Sequence, residues 1–175
     1  YMQQYAVVDD SCLVNSVNVD YPDSVYIRKL SQLPTVIEMP YNSVVRRYID
    51  MYVQKRRALV ENLLGLSTYY MPIFEEALER EGLPLELKYL PIIESALRPD
   101  ATSRVGAAGL WQFMVKTGKS MGLEVNSLVD ERRDPIKSSA MAARYLKDLY
   151  SIYHDWALAI ASYNCCLLYT SDAAD

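Results

Sequence analysis

The spacing of apolar residues becomes regular from Asn42 onward. In the stretch NSVVRRYIDMYVQKRRALVENLLGL, apolar residues such as Val45 and Ile49 recur at three- to four-residue intervals, with basic residues between them. This period is that of a helix with one apolar face. The pattern predicts a helix that begins after Asn42 and ends at Gly65, since glycine commonly terminates helices.

Two further helices are predicted between residues 71 and 97. Pro72 lies near the start of the first, and Gly82 lies at its end. Pro84 opens the second, which contains Pro91. Because proline lacks a backbone donor, Pro91 should bend or loosen this helix, and Glu94 lies one turn beyond the bend.

The remaining helices are predicted from the residues that start or end them. The stretch GLWQFMVKTGKSMG should form short helical pieces that break at Gly118 and Gly122. Asp134 followed by proline is a strong start signal for the next helix. Asp155 can cap the last helix, WALAIASYN.

The pattern predicts an all-α domain, because no alternation typical of β-strands competes between residues 40 and 164. Residues 1–37 show no sustained period and are interpreted as an N-terminal extension or linker. The domain itself is expected to occupy residues 38–165, with its motifs in 84–165. We interpret residues 166–175 as a non-native tail, because CLLYTSDAAD resembles the in-frame translation of a DNA-library adaptor.

Composition limits the functional classes. With 175 residues, 51% hydrophobic and 23% charged, the chain suits one globular domain. A formal net charge of −4 argues against nucleic acid as a partner. No segment reaches the roughly 18 apolar residues of a membrane span.

Cysteine and histidine are too few for a disulfide framework or a metal centre. The three cysteines are Cys12, Cys165 and Cys166, and adjacent cysteines rarely form a bridge with each other. A single histidine, His154, does not supply the ligand set of most zinc sites. We therefore expect neither a metal nor a cofactor.

Glu94 is a carboxylic acid in an apolar run, with Ile92 and Ile93 before it and Ala96 and Leu97 shortly after. In such surroundings desolvation would raise its pKa, so that it could donate a proton near neutral pH and then take one back. This is how the general acid of a glycosidase works. The alternative is that Glu94 lies on the solvent side of an amphipathic helix.

The residues after Glu94 suit a sugar ligand. Ser103, Gln112 and Met114 offer uncharged side chains, while Gly106 and Gly109 let the backbone approach a ligand closely. Sugars present hydroxyl groups and few charges, so these residue types match them. The structural alternatives are that the glycines only form turns, that Trp111 fills the core, and that Tyr163 and Asn164 end a helix.

The run ESALRPDATSRVGAAGLWQFM, followed by DERRDP and ALAIASYN, resembles the signature of lytic transglycosylases with a soluble-lytic-transglycosylase (goose-lysozyme-like) domain. The upstream stretches YNSVVRRYIDMYV and YYMPIFEEALEREGLPLELKYLPIIES resemble the D subgroup of the membrane-bound lytic murein transglycosylases. The resemblance covers residues 38–165. It implies a lysozyme-like helical fold with a substrate cleft.

The resemblance also implies an activity. Such enzymes cleave the β-1,4 bond between N-acetylmuramic acid and N-acetylglucosamine in peptidoglycan, and they leave 1,6-anhydromuramic ends. By analogy, Glu94 protonates the leaving oxygen and then accepts the proton of the C6 hydroxyl. The implied partner is the peptidoglycan glycan strand, and the implied location is the periplasm or the outer membrane, with no transmembrane segment in this chain.

A single acid is consistent with the spacing of the other carboxylates. Glycosidases that use two carboxylates hold them roughly 5–9.5 Å apart. Glu86 precedes Glu94 by eight residues, so on one helix it would lie about 12 Å away. Asp100 is nearer in sequence, and a residue distant in the sequence could still fold in.

Further roles follow from the resemblance. The positions that match substrate-contacting residues of the family are Ser103, Gln112, Met114, Tyr163 and Asn164. Met114 matches a residue that lines the cleft, and the Tyr163 hydroxyl is expected to point toward the catalytic region. Ser95 and Trp111 are expected to support the acid and the cleft floor.

Two other functions remain open on the same fold. A goose-type muramidase would let water attack, and a non-catalytic glycan-binding domain would bind without cleavage. After Tyr163 and Asn164 the family continues with a Gly-rich turn and a further helix, whereas this chain runs into its C-terminal tail. We therefore expect the domain to be C-terminally truncated. Truncation is expected to make the chain less stable than the natural domain and is able to abolish its activity.

Overall fold

The computed structural model describes residues 20–169, with side chains up to residue 164. It divides into two compact units. The described part of the first is residues 20–33 with Pro40–Arg57, and that of the second is Pro34–Met39 with residues 58–169. Cys12, the rest of residues 1–19 and residues 170–175 lie outside the described part of the chain.

The first unit contains α1 (Asp23–Ser31) and α2 (Ser43–Asp50), followed by a π-helical turn, Met51–Lys55. The sequence pattern gave no sign of α1, because this helix buries no residue and so has no apolar stripe. Asn42 caps α2 as the sequence indicates, since its side chain accepts the N–H groups of Val44 and Val45.

A cluster of charges holds the first unit together around Arg46. Its Nε donates to Asp50 at 2.9 Å, and its NH1 donates to Asp23 at 2.8 Å. NH2 also pairs with Asp20. The Arg46 guanidinium lies 5.0 Å from the centre of the Tyr26 ring. No residue of α1 or α2 is buried, so these contacts link the two helices without an apolar core around them.

The long helix of the second unit, α3 (Arg57–Glu81), corrects two predictions. The helix expected to run from Asn42 to Gly65 is interrupted by the π turn and by Arg56, whose φ is −123°. Gly65 and Pro72 both lie inside α3, so the predicted stop at Gly65 and start at Pro72 are wrong. Both positions are exposed, so neither removes a side chain from the core.

The predicted end of this helix at Gly82 is confirmed. Gly82 has φ +69°, its N–H bonds the carbonyl of Glu79, and the N–H of Leu83 bonds that of Leu78, each at 3.0 Å. This pair of bonds is a Schellman motif, which uses glycine because a side chain would be strained there.

Pro91 divides the next segment as expected. A 3₁₀ turn, Leu85–Tyr89, leads into the short helix α4 (Leu90–Ser95), with Pro91 in its first turn. Helix α5 (Val115–Ser120) follows, and Gly118 lies buried inside it, so the predicted break at Gly118 is wrong. Gly122, with φ +94°, follows the end of α5.

The last two helices begin where the sequence predicts. The Asp134 carboxylate accepts the N–H groups of Ile136 and Lys137, both at 2.9 Å, at the start of α6 (Pro135–Tyr153). The Asp155 carboxylate accepts the N–H of Leu158 before α7 (Trp156–Tyr169). The backbone of α7 thus continues into the segment interpreted as a tail.

The core of the second unit is helical and aromatic. Its largest fully buried side chains are Trp111, Tyr163, Phe74, Phe113, Leu78, Leu87, Leu97, Leu110 and Leu146. Residues 20–169 contain no β-strand beyond isolated bridges such as Thr102 with Ala108, which confirms the all-α class. None of the helices in this range is long and apolar enough to cross a membrane.

Candidate active site

Glu94 is the last residue but one of α4 and is half-buried. Burial raises the pKa of its carboxyl above the usual range of glutamate. Leu97 is fully buried nearby in sequence, but Ile93 is 74% exposed, so one of the four expected apolar neighbours faces solvent instead. The carboxyl therefore lies at the edge of the core, partly desolvated and still accessible.

The chain turns sharply directly after the acid. Ala96 and Leu97 both adopt left-handed backbone conformations, with φ of +53° and +59°. Such conformations cost free energy in residues other than glycine and persist only where the surroundings enforce them. Here the Leu97 N–H bonds the carbonyl of Pro91 at 3.2 Å, and the Leu97 side chain is buried. The turn ends α4 one residue after Ser95 and keeps Glu94 at the helix end.

Ser95 connects the acid's helix to the following turn. Its hydroxyl lies 3.0 Å from the Pro91 carbonyl and 2.9 Å from the Leu110 carbonyl, so its single proton is shared between two acceptors. The hydroxyl thus links α4 to the backbone at residue 110.

Trp111 is fully buried and is bonded through both its side chain and its backbone. Its indole Nε1 donates to the Ser139 hydroxyl on α6 at 2.9 Å, and its ring meets Phe74 edge-to-face at 5.3 Å. Its carbonyl accepts the Tyr163 hydroxyl from α7 at 2.8 Å. Trp111 thereby ties the turn after Glu94 to three long helices.

Tyr163 is fully buried, and its pKa lies well above the usual value for tyrosine. The main cause is burial, and the negative charges of Glu94 and Tyr145 add to it. The hydroxyl therefore stays protonated and donates to the Trp111 carbonyl.

The polar side chains expected to contact substrate bond their own turns in this structure. Gln112 has a left-handed backbone, φ +50°, and its Nε2 donates to the Gly109 carbonyl at 2.9 Å. The Ser103 hydroxyl accepts the Ala107 N–H at 3.0 Å. Met114 is buried and precedes α5, and the exposed Asn164 donates to the Ile160 carbonyl at 3.2 Å.

Arg132 is a residue of this region whose role was not identified from the sequence. It is 6% exposed, its NH1 donates to the Gly106 and Phe113 carbonyls at 2.9 Å each, and Asp130 holds its other nitrogens in two 2.8 Å bonds. The guanidinium also lowers the pKa of Asp130. The DERRDP segment drew attention to this part of the sequence, but its residue types do not indicate that one of its arginines is buried.

The same segment approaches the turn through its backbone. A Cβ on Gly109, whose φ is +86°, would lie 1.8 Å from the Arg132 carbonyl oxygen. Arg133 donates to the Asp100 carbonyl and to the Thr102 hydroxyl, at 2.7 Å each. Residues 130–133 therefore hold residues 100–113, the loop that carries Ser103 and Gln112.

The two other carboxylates considered as a second acid are engaged elsewhere. Glu86 accepts the backbone N–H groups of Val36 and Ile37. Asp100 is exposed and pairs with Arg98 at 3.1 Å, and the hydrogen bond from Arg98 lowers its pKa.

This chain is similar to one family model and to several individual proteins. The model of the transglycosylase SLT domain family matches residues 71–173. The chain is 35% identical over 127 residues to the membrane-bound lytic murein transglycosylase D of Escherichia coli strain K12 and to that of strain CFT073, covering 72% of this chain and 28% of each relative. It is also 32% identical over 96 residues to a putative tributyltin chloride resistance protein of Alteromonas sp. strain M-1, covering 54% and 46%. The chain thus spans less than half the length of these relatives.

Proposed function

Since this chain belongs to the transglycosylase SLT domain family, we propose that it is a peptidoglycan lytic transglycosylase with Glu94 as its single acid and base. Supporting the role of Glu94 is its half-buried carboxyl with a raised pKa. Within residues 20–164 Glu94 makes no ion pair, so no cation holds it in its charged form. A carboxyl in this state can give up a proton to a leaving oxygen.

The proposed reaction needs one proton carrier and no water. The protonated Glu94 donates to the oxygen that links the muramic C1 to the next sugar, and that C1–O bond breaks. The C6 hydroxyl of the same muramic residue then bonds to C1, and its proton passes to the Glu94 carboxylate. The products are a 1,6-anhydromuramic end and a free N-acetylglucosamine hydroxyl, and Glu94 is again protonated.

The surrounding residues support this proposal by fixing the position of the acid. The Ser95 hydroxyl bonds the Leu110 carbonyl and Tyr163 bonds the Trp111 carbonyl, so α4 and α7 both bond the 110–111 backbone. We propose that Gln112, Ser103, Met114 and Asn164 contact the glycan strand from this rigid surface. The partner is peptidoglycan, and the protein acts in the cell envelope, in the periplasm or at the outer membrane.

The test is mass spectrometry of purified peptidoglycan after digestion with the protein, with Glu94→Gln and Glu79→Gln tested in parallel. Glu79 is an exposed glutamate on α3, so its replacement is a matched control for the loss of one carboxylate. We expect 1,6-anhydromuramic products from the unmodified protein and from Glu79→Gln, and a loss of at least 100-fold in Glu94→Gln. Products heavier by one water would show a hydrolase, and glycan binding without cleavage would show a binding domain.

A further inference from the structure

Two neighbouring hollows lie where α6 ends and α7 begins. Their volumes are about 260 and 510 Å³, and both are lined by Val36, Tyr150 and Trp156. The larger one falls within the roughly 300–1,000 Å³ of small-molecule sites, and the smaller one lies just below this range. Neither Glu94 nor any residue proposed to assist it lines either hollow.

An aromatic pair lines both hollows. The rings of Tyr150 and Trp156 stack with centroids 4.1 Å apart and an angle of 15° between their planes. Both side chains are only partly buried, so ring surface remains open to a ligand. The face of an aromatic ring carries negative potential and attracts cations within about 6 Å of its centre.

The charged groups around the pair are mostly acidic. Glu38 and Asp155 line the smaller hollow together with His154, and Glu86 lines the larger one. Among the described residues no lysine or arginine lines either hollow. Asp155 caps α7 and Glu86 binds the amides of Val36 and Ile37, so both have local partners.

Glu38 differs from these two acids. It is exposed, and within the described part of the chain it makes no hydrogen bond and no ion pair. An acid without a partner beside an open aromatic face forms a complementary site for one positive charge on an apolar stem.

We propose that this aromatic–acid site, formed by Glu38, Tyr150 and Trp156, binds the ammonium group of a diamino-acid side chain in the stem peptide of the substrate. The assignment rests on the proposed function, because peptidoglycan is what supplies such a peptide. The aliphatic part of the side chain packs on the rings, and the ammonium group pairs with Glu38. A bound stem peptide would let the protein distinguish peptide-bearing strands from bare ones.

Binding is tested first by isothermal titration calorimetry in a Glu94→Gln background, which removes cleavage. The probe is the tripeptide L-alanyl-γ-D-glutamyl-L-lysine, and the comparison is its Nε-acetylated form. We expect the acetylated form to bind at least tenfold more weakly. Glu38→Gln should weaken the binding of the free amine at least fivefold, and Glu79→Gln should leave it unchanged.

Three outcomes would overturn this proposal. Equal binding of both peptides would show that the charge is not recognised, and binding unaffected by Glu38→Gln would place the peptide elsewhere. Absence of binding at peptide concentrations up to about 10 mM would show that there is no such site. Binding of a peptide-free chitin oligosaccharide that Trp156→Leu abolishes, with no peptide binding, would make the hollows a sugar site.

Cleavage kinetics provide a second test of the proposal. Kinetics are compared on peptide-bearing strands and on strands from which an amidase has removed the peptides. Glu38→Gln should lower kcat/KM on peptide-bearing strands at least fivefold more than on stripped strands, and equal effects would count against the proposal. Absence of cleavage of either substrate, both by the unmodified protein and with the natural C-terminus restored, would refute the proposed function, whereas the calorimetric result would stand independently.

Discussion

The acids of this protein differ most in what surrounds them. Glu94 is half-buried and lacks an ionic partner among the described residues, so burial raises its pKa. Asp130 and Asp100 each accept hydrogen bonds from an arginine, and their pKa values are lowered. A raised pKa suits a proton donor, whereas a lowered pKa suits a group that must stay charged.

The pH dependence of cleavage follows from the state of Glu94. Because the protonated carboxyl starts the reaction, the rate should fall as pH rises through its raised pKa. We expect the initial rate of anhydromuramic end formation, measured between pH 4 and pH 8, to decline on the alkaline side with a single ionisation. A rate that increases steadily across this range would contradict a protonated Glu94.

Two glycines of the loop after Glu94 have similar backbone angles but different surroundings, so their alanine substitutions can be compared directly. Gly109 and Gly106 have φ of +86° and +88°, but only at Gly109 would a Cβ strike the Arg132 carbonyl, whereas at Gly106 it would meet open space. We expect Gly106→Ala to cost about 1 kcal/mol through backbone strain and Gly109→Ala roughly 3 kcal/mol or more. Urea denaturation of both variants measures this difference. Equal losses would mean that residues 130–133 move aside readily.

The residues of the site could be predicted from the sequence only in part. Glu94 stands out because a charged residue within an apolar run is unusual, and the structure places it half-buried. The burial of Arg132 could not be predicted, because it depends on bonds to backbone carbonyls about twenty residues earlier in the chain. The left-handed backbone of Gln112 was also not predicted, because nothing in the local sequence marks a residue other than glycine for this conformation. The Ser103 and Gln112 side chains bond backbone groups three or four residues away, which the residue types alone did not indicate.

At the level of elements, helix ends were predictable and helix interiors were not. Asn42, Asp134 and Asp155 accept the first free N–H groups of their helices, which depends only on the next two or three residues. Gly65 and Pro72, by contrast, are local breakers within α3. Packing of the apolar face of α3 in the core outweighs their unfavourable propensity.

The two breakers should therefore be sites of easy stabilisation. Gly65→Ala should raise the free energy of unfolding by about 1 kcal/mol, since a Cβ there would meet open space. Pro72→Ala restores a backbone donor and should add roughly 2 kcal/mol, after allowance for the freer unfolded chain. Thermal unfolding of the single and double variants measures both gains. A loss of stability in Pro72→Ala would show that the proline ring itself supports α3.

At the scale of the whole molecule, the opposite pKa shifts of Asp130 and Glu94 make the free energy of unfolding depend on pH. Asp130 has a lowered pKa, so its contribution is present above its unfolded pKa and is lost as pH falls through the folded one. Glu94 has a raised pKa, so its contribution is present below its unfolded pKa of about 4.5 and is lost as pH rises through the folded one. Stability should therefore be greatest at mildly acidic pH.

Single substitutions distinguish the contributions of Glu94 and Asp130 to the pH dependence of stability. In Glu94→Gln the free energy of unfolding should fall less steeply above pH 4.5 than in the unmodified protein. The variant should therefore be stabilised relative to the unmodified protein by more at pH 7 than at pH 4. Asp130→Asn should cost roughly 2 kcal/mol at pH 7, because Arg132 stays buried without its anion, and the cost should shrink in acid. Denaturation at several pH values tests both. A constant effect of either substitution at every pH would contradict the corresponding assignment.

The bonding of Trp111 has an optical consequence. The chain has two tryptophans, Trp111 and Trp156, and they lie in different environments. Trp111 is sealed in the core beside Ser139, whereas Trp156 is partly open to solvent and stacks on Tyr150. Emission from Trp111 should thus resist aqueous quenchers, while Trp156 emission should respond to them. The molecule thus carries one fluorophore that reports on the loop after Glu94 and another that reports on the aromatic–acid site.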